Sequence, residues 1–265
     1  MGRLITTKYL LIISYDGSNF HGSQLQNDLR TIQGDLETVI EKVFGVFSRV
    51  SLSSRTDSGV HAEFQVGTFD VEKNKLDSFS VRSALNSYLE EDIRIMDVGV
   101  LTSDAIFFDP RKDAISREYV YIFNDSQVLH PRFRDYVYHV KGKLNEHIMN
   151  KGASLLLGKH DFIAFAGHST SIKDYTVREV FQSTVTRTEH FVHFSITSNG
   201  FLHQQIRRIS GLLLQIGLGK KSPDIIKHYL DSKVRGEFTN VLSPKGLCLK
   251  NIKYKDNFLQ KFLTN

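Results

Sequence analysis

The strongest constraint on the fold is a repeated change of hydrophobic period, from the short apolar or alternating runs of strands to the 3.6-residue spacing of helices and back. Tyr9–Tyr15, which opens with the apolar run Tyr9–Ile13, reads as a strand ending at the turn signal Asp16-Gly17-Ser18. From Ile32, the apolar residues Ile32, Leu36, Val39, Ile40, Val43 and Phe44 fall on one helical face, and Gly45 stands where a helix C′ residue belongs. Arg49–Ser53 and Phe64–Phe69 read as strands, Val81 to Leu89 as a second amphipathic helix, and Ile93–Ile95 as a further strand. Strand, helix, strand, strand, helix, strand predicts an α+β fold, an antiparallel sheet with helices on one face.

The second half continues in the same style. Arg117–Phe123 is a strand with Tyr119, Tyr121 and Phe123 on one face. A helical stretch, Leu144–Leu157, stops at Gly158, and Lys159–Phe165 reads as a polar and aromatic loop. Strands follow around 181–187 and 191–196, then a helix from about Leu202 to Ile216. Ser222-Pro223-Asp224 opens a short helix with Ser as N-cap and Pro at N1, and 246–249 and 252–254 close as strands. No linker, low-complexity tract or fixed-period repeat divides the 265 residues. One domain, 1–265, is expected, with halves of about 1–105 and 106–265.

The single cysteine, Cys248, excludes an intramolecular disulfide and a cysteine-based zinc site, and it points to a reducing compartment, the cytoplasm. Tyr9–Ile13 is too short to span a bilayer, so no membrane role is expected. Met1–Thr6 formally fits a myristoylation pattern, a loose match that nothing else in the chain supports. A net charge of +5 and a pI near 9.1 favour a polyanionic partner. No H-E-x-x-H, Cys pair or acidic calcium loop is present, so neither metal nor cofactor is implied. Gly217-Leu-Gly-Lys-Lys-Ser222 lacks the first Gly of a phosphate loop, since Leu214 stands there. The single Asp57-Ser58-Gly59 lacks the second carboxylate of an aspartic protease.

Ser53-Ser-Arg-Thr-Asp-Ser-Gly-Val-His-Ala62, between two strands, gathers a carboxylate, an Arg, a His and a Gly in one turn. Turn chemistry alone could account for Asp-Ser-Gly, with the Asp capping its own backbone and Gly59 supplying a positive φ. The wider context goes further. Ser54–Ala62, together with Tyr15–Gly22, Thr31–Glu37, Arg117-Glu-Tyr119, Gly200–Arg207 and Gly246-Leu247, resembles the motifs of the TruA family of tRNA pseudouridine synthases in family order. The chain departs from the family at Ser23, where a Trp is usual, at Ser54 for Gly, at Glu90 for Pro and at Phe108 for His.

The resemblance implies a pseudouridine synthase fold: two similar α/β halves sharing a central antiparallel sheet, with a cleft between them. It implies isomerisation of uridine to pseudouridine in the tRNA anticodon arm, at positions 38 to 40, by a cytoplasmic homodimer without metal or cofactor. Asp57 would be the nucleophile or base, Arg207 its partner, and Tyr119 the group that stacks on the uracil and moves a proton. Arg55 would help displace the base, and Gly59, His61 and Leu247 would join it in substrate binding. Other RNA targets, or a non-catalytic RNA-binding role, are the alternatives. Helical spacing points both Arg207 and Arg208 to solvent, so resemblance alone separates them.

Overall fold

The computed structural model describes residues 6–72, 76–101, 105–167 and 175–263, so all of the Met1–Thr6 pattern but its last residue lies outside the described residues. In chain order the elements are β1 (Thr6–Tyr15), α1 (Ile32–Phe44), β2 (Ser51–Leu52), β3 (His61–Glu72), α2 (Ser78–Tyr88) and β4 (Ile93–Leu101). There follow β5 (Ala114–Asn124), β6 (Tyr138–His139), α3 (Glu146–Ser154), β7 (Gly158–Asp161), β8 (Val177–Thr188) and β9 (Phe191–Ser198). The chain closes with α4 (Gln205–Gly217), α5 (Ile225–Asp231) and β10 (Leu247–Tyr254). These elements form two compact units, Met1–Ile115 with Leu249–Asn265, and Ser116–Cys248. The α+β reading holds in each.

In the first unit the strands stand in the order β4, β1, β3, β10, with β2 paired to β3. β1 is antiparallel to both neighbours, Leu11 facing Gly67 on β3 and Val98 on β4. Tyr9 to Ile13 are buried without a break, so this central strand reads as a solid apolar run and not as an alternation. α1 starts where Thr31 Oγ1 accepts the Gly34 N–H and ends at Gly45 with φ +71, the left-handed conformation expected there. Its buried residues Ile32, Leu36 and Ile40 contribute roughly 1.5–3 kcal/mol each by leaving water.

In the second unit the order is β5, β9, β8, β7. These pairs are antiparallel, but β6 lies parallel to β5, Phe123 facing Tyr138, so the sheet is mixed where an antiparallel one was expected. Along β9, Val192, Phe194, Ile196 and Ser198 are buried while the residues between them are half-exposed. Ser183 on β8, opposite Ile196, donates to the Ala153 carbonyl of α3 at 2.7 Å, which identifies the covered face. Gly217 lets α4 lie close to α3, for a Cβ there would meet Met149 Sδ at 2.5 Å.

The stretch expected to be a loop, 159–165, begins as strand β7. Its polar residues hid it, because an edge strand need not alternate. α3 is shorter than Leu144–Leu157, capped by Asn145 and finished by Ser154. α5 starts at Ile225, since Ser222 and Pro223 form the preceding turn, with Ile225 N–H donating to Ser222 O at 3.2 Å. The two closing strands are the single strand β10.

Candidate active site

In the first unit Arg55, Asp57 and Gly59 share the turn between β2 and β3, and His61 is the first residue of β3; the two strands pair Ser51 with Thr68 and Leu52 with Gly67. The turn is held from beneath by side chains. Gln65, fully buried on β3, accepts the Ser54 N–H at 3.1 Å on Oε1 and donates from Nε2 to the Ser54 carbonyl at 2.7 Å. Thr56 donates its N–H to Ser23 Oγ at 2.8 Å, and its carbonyl accepts the Ser23 N–H at 3.1 Å. The Tyr15 hydroxyl lies 2.9 Å from Thr56 Oγ1.

Backbone meets backbone on the other side. Gly59 N–H donates to Phe20 O at 3.1 Å, and Val60 N–H to Asp57 O at 3.1 Å. A Cβ on Gly17 would lie 2.1 Å from Val60 O, and one on Gly22, whose φ is +96, would lie 2.8 Å from Thr56 O. Both positions therefore need glycine, because any side chain would drive the 17–23 segment off the turn. Gly59 has φ +77, as turn chemistry predicts.

On this framework Asp57 is half-buried and Arg55 exposed. His61 is buried at 6% exposure, with Nδ1 at 3.0 Å from Gly17 N and 3.1 Å from Asp16 Oδ1. That nitrogen can accept from the first or donate to the second but not both, and either bond ties the 16–17 turn to β3.

In the second unit Tyr119 lies on β5 at 4% exposure, its ring edge-on to Phe201 at 5.4 Å between centroids. Arg207, in the first turn of α4 and half-buried, donates from Nε to the Leu242 carbonyl at 2.8 Å, while Leu242 N–H returns to Arg207 O at 3.4 Å. The next residue, Ser243, accepts the Tyr121 hydroxyl at 2.7 Å. Burial pushes the Tyr121 phenol well above its ordinary value, helped by Tyr138 and opposed by Arg207. Leu247, at 5% exposure, follows Gly246, whose Cβ would meet Ile122 O at 2.8 Å.

Arg208 departs from expectation. It is 3% exposed, not solvent-facing, because segment 236–242 crosses that side of α4. Its Nη1 donates to Phe238 O and its Nη2 to Gln204 Oε1 at 3.4 Å, and among the described residues no carboxylate joins them. Burial, then Arg207, lowers its pKa. Helical spacing, which locates the apolar stripe, carries no information about a later segment that covers the opposite side.

The chain is similar to known proteins over most of its length. A family model described as tRNA pseudouridine synthase matches residues 11–103 and 153–255. The chain belongs to that family. Curated relatives named tRNA pseudouridine synthase A include one from Thermoanaerobacter sp. (strain X514), 36% identical over 92% of this chain and 98% of its own. A relative named tRNA pseudouridine synthase A 2, from Bacillus anthracis, is 37% identical over 93% of this chain and 99% of its own. Among solved structures, the archaeal box H/ACA sRNP Nop10-Cbf5 complex aligns with a TM-score of 0.30 at 12% identity, over 78% of this chain and 44% of that one.

Within this pseudouridine synthase, sequence reading found the residues of the turn but not its supports. Ser23, Gln65 and Tyr15 are buried polar groups whose bonds run to the backbone and to Thr56, and such bonds leave no periodic trace. Ser23 and Phe108, both departures from the family pattern, are buried, and Phe108 stacks on Phe258 at 4.4 Å. Among the described residues no helix is long and apolar enough to cross a membrane.

Proposed function

We propose that this protein converts uridine to pseudouridine in the anticodon arm of tRNA, at positions 38 to 40, with Asp57 as nucleophile or initiating base. The reading rests on family membership, and the observation that carries it is a half-exposed Asp57 on a turn fixed from both sides by buried partners. A turn that only reversed the chain would have no use for so much support.

The reaction is an isomerisation. The bond from ribose C1′ to uracil N1 breaks, the base turns, and C1′ bonds to C5. The C5 proton leaves to water and N1 takes up a proton, so neither oxidant nor reductant is needed. Asp57 must act as the carboxylate, whether it attacks or removes a proton. Tyr119 serves as stacking surface and proton carrier, and Arg207 as the compensating cation. Arg55 contacts RNA directly, Gly59 and His61 shape the turn against which the nucleotide docks, and Leu247 gives the base an apolar contact. The whole chain acts as one catalytic domain, in a cytoplasmic homodimer that shares the tRNA.

The test is tritium release from an unmodified tRNA transcript labelled at uracil C5, with Asp57→Asn beside the parent. Release by the parent and none by the variant, while both bind tRNA, is the expected result. Turnover by Asp57→Asn overturns the assignment of Asp57. Binding without release by either protein favours the RNA-binding alternative, and release from uridines other than 38–40 shifts the target.

A further inference from the structure

We propose that Tyr15 and Ser23 are positioning residues for Asp57, their hydroxyls gripping the preceding residue from two sides. The inference rests on Asp57 being the reacting group.

Thr56 is 8% exposed, and its three polar atoms are all engaged. Its N–H goes to Ser23 Oγ at 2.8 Å, its carbonyl takes the Ser23 N–H at 3.1 Å, and its Oγ1 lies 2.9 Å from the Tyr15 hydroxyl. Either hydroxyl of the pair can donate, and Gln65 Nε2, which can only donate, reaches the Tyr15 oxygen at 3.4 Å. Gln65 is anchored in turn by Ser54 on both its amide groups and by the Val66 N–H at 3.2 Å on Oε1. Tyr15 belongs to β1, facing Ala62 and Ile93, so the grip transmits the rigidity of the sheet into the turn.

On the far side of Asp57 the chain is closed by the Val60 N–H to Asp57 O bond. Asp57 therefore sits between two fixed points, and the Tyr15 and Ser23 bonds supply the first. Releasing it would let the carboxylate swing by a fraction of an ångström to an ångström, and a displacement of that size lowers rate by as much as about a hundredfold. The RNA-contacting surface would be untouched, because these hydroxyls are buried.

Thr56→Val removes the Tyr15–Thr56 bond, and Tyr15→Phe removes that bond and the longer one from Gln65 Nε2, each keeping the side chain's shape. Each should lower kcat for pseudouridine formation by about tenfold to a hundredfold with KM for tRNA unchanged. The double variant should be no slower than the slower single, since both cut the same bond. Ser23→Ala should multiply the loss, and Thr56→Ser, which restores the hydroxyl, should recover most of it. Hydrogen exchange at the Ser54 and Thr56 amides, read on the same proteins, should accelerate in the variants and not elsewhere in β3. Unchanged kcat in Tyr15→Phe, additive losses in the double variant, or unchanged local exchange would each overturn the proposal. A parent that forms no pseudouridine overturns the functional reading instead, and the grip is then decided by exchange alone.

Discussion

The turn that carries Asp57 and the helix that carries Arg207 reach local order by different routes. Around Asp57 the backbone has no repeating ladder, so besides the local Val60 N–H to Asp57 O bond its amides and carbonyls are satisfied by Gln65, 11 positions from Ser54, and by Ser23 and Phe20, farther back in the chain. Arg207 stands on a helix that satisfies its own backbone, and its Nε is tethered to Leu242 O. A residue of the first kind is exposed to substitutions tens of positions away. A residue of the second kind depends on its helix and on the segment that holds its side chain.

The contrast breaks most sharply at Gly17, where a methyl group would enter Val60 O. Gly17→Ala should lower unfolding free energy by about 3 kcal/mol, the upper range for forcing atoms into packed space. Gly45→Ala is the comparison, since its φ is +71 but its surroundings are open, and there a loss of about 1–2 kcal/mol is expected. Urea midpoints for the two proteins check the order, and equal losses would mean that the 17–23 segment yields easily.

A smaller effect is expected at the helix. Arg207→Lys keeps the charge but cannot reproduce the Nε bond to Leu242 O, and losing a charged hydrogen bond corresponds to about a tenfold to hundredfold drop in kcat/KM. Thermal midpoint should stay near that of the parent, because α4 keeps its ladder. A large fall in midpoint would show that the 236–242 segment depends on Arg207 for its placement.

The smallest effect concerns acid, and it asks whether the second unit owes part of its stiffness to charge. Asp125 has a fully buried side chain. Burial acts to raise its pKa, but the Leu144 N–H, Lys143 and Arg187 outweigh this and hold the carboxyl below its ordinary value. A depressed folded-state pKa adds stability above the ordinary carboxylate value, and that contribution fades as pH falls through about 4 toward the folded value. Stability measured from pH 6 to pH 3 should therefore decline, and Asp125→Asn should begin lower at pH 6 and decline less.

How far the sequence could be read follows the same division. α1 was legible to its ends, because Ile32, Leu36 and Ile40 mark its face and Gly45 its stop. The β2–β3 turn and the positive φ of Gly59 were legible from local chemistry. α4 was found but entered too early: Gln204 adopts φ +59, and the helix begins only at Gln205. Arg208 was misread, and β7 passed for a loop, since both depend on what packs against them and not on their own spacing. The Ser23, Gln65 and Tyr15 contacts were invisible for the same reason. Asp57 was singled out by the company of its motifs, while spacing alone would have left it an ordinary turn residue.

The close approach of Gly17 and Gly22 to the 56–60 turn has a consequence for portability. Ser54–Ala62 looks like a self-contained cassette, yet its conformation is written in two places on the chain. Grafted into another sheet without Tyr15–Ser23 and a Gln at the position of Gln65, the peptide would keep its sequence and lose its shape. The transferable module is discontinuous, a turn together with the strand end and glycine-rich segment against which it is cast.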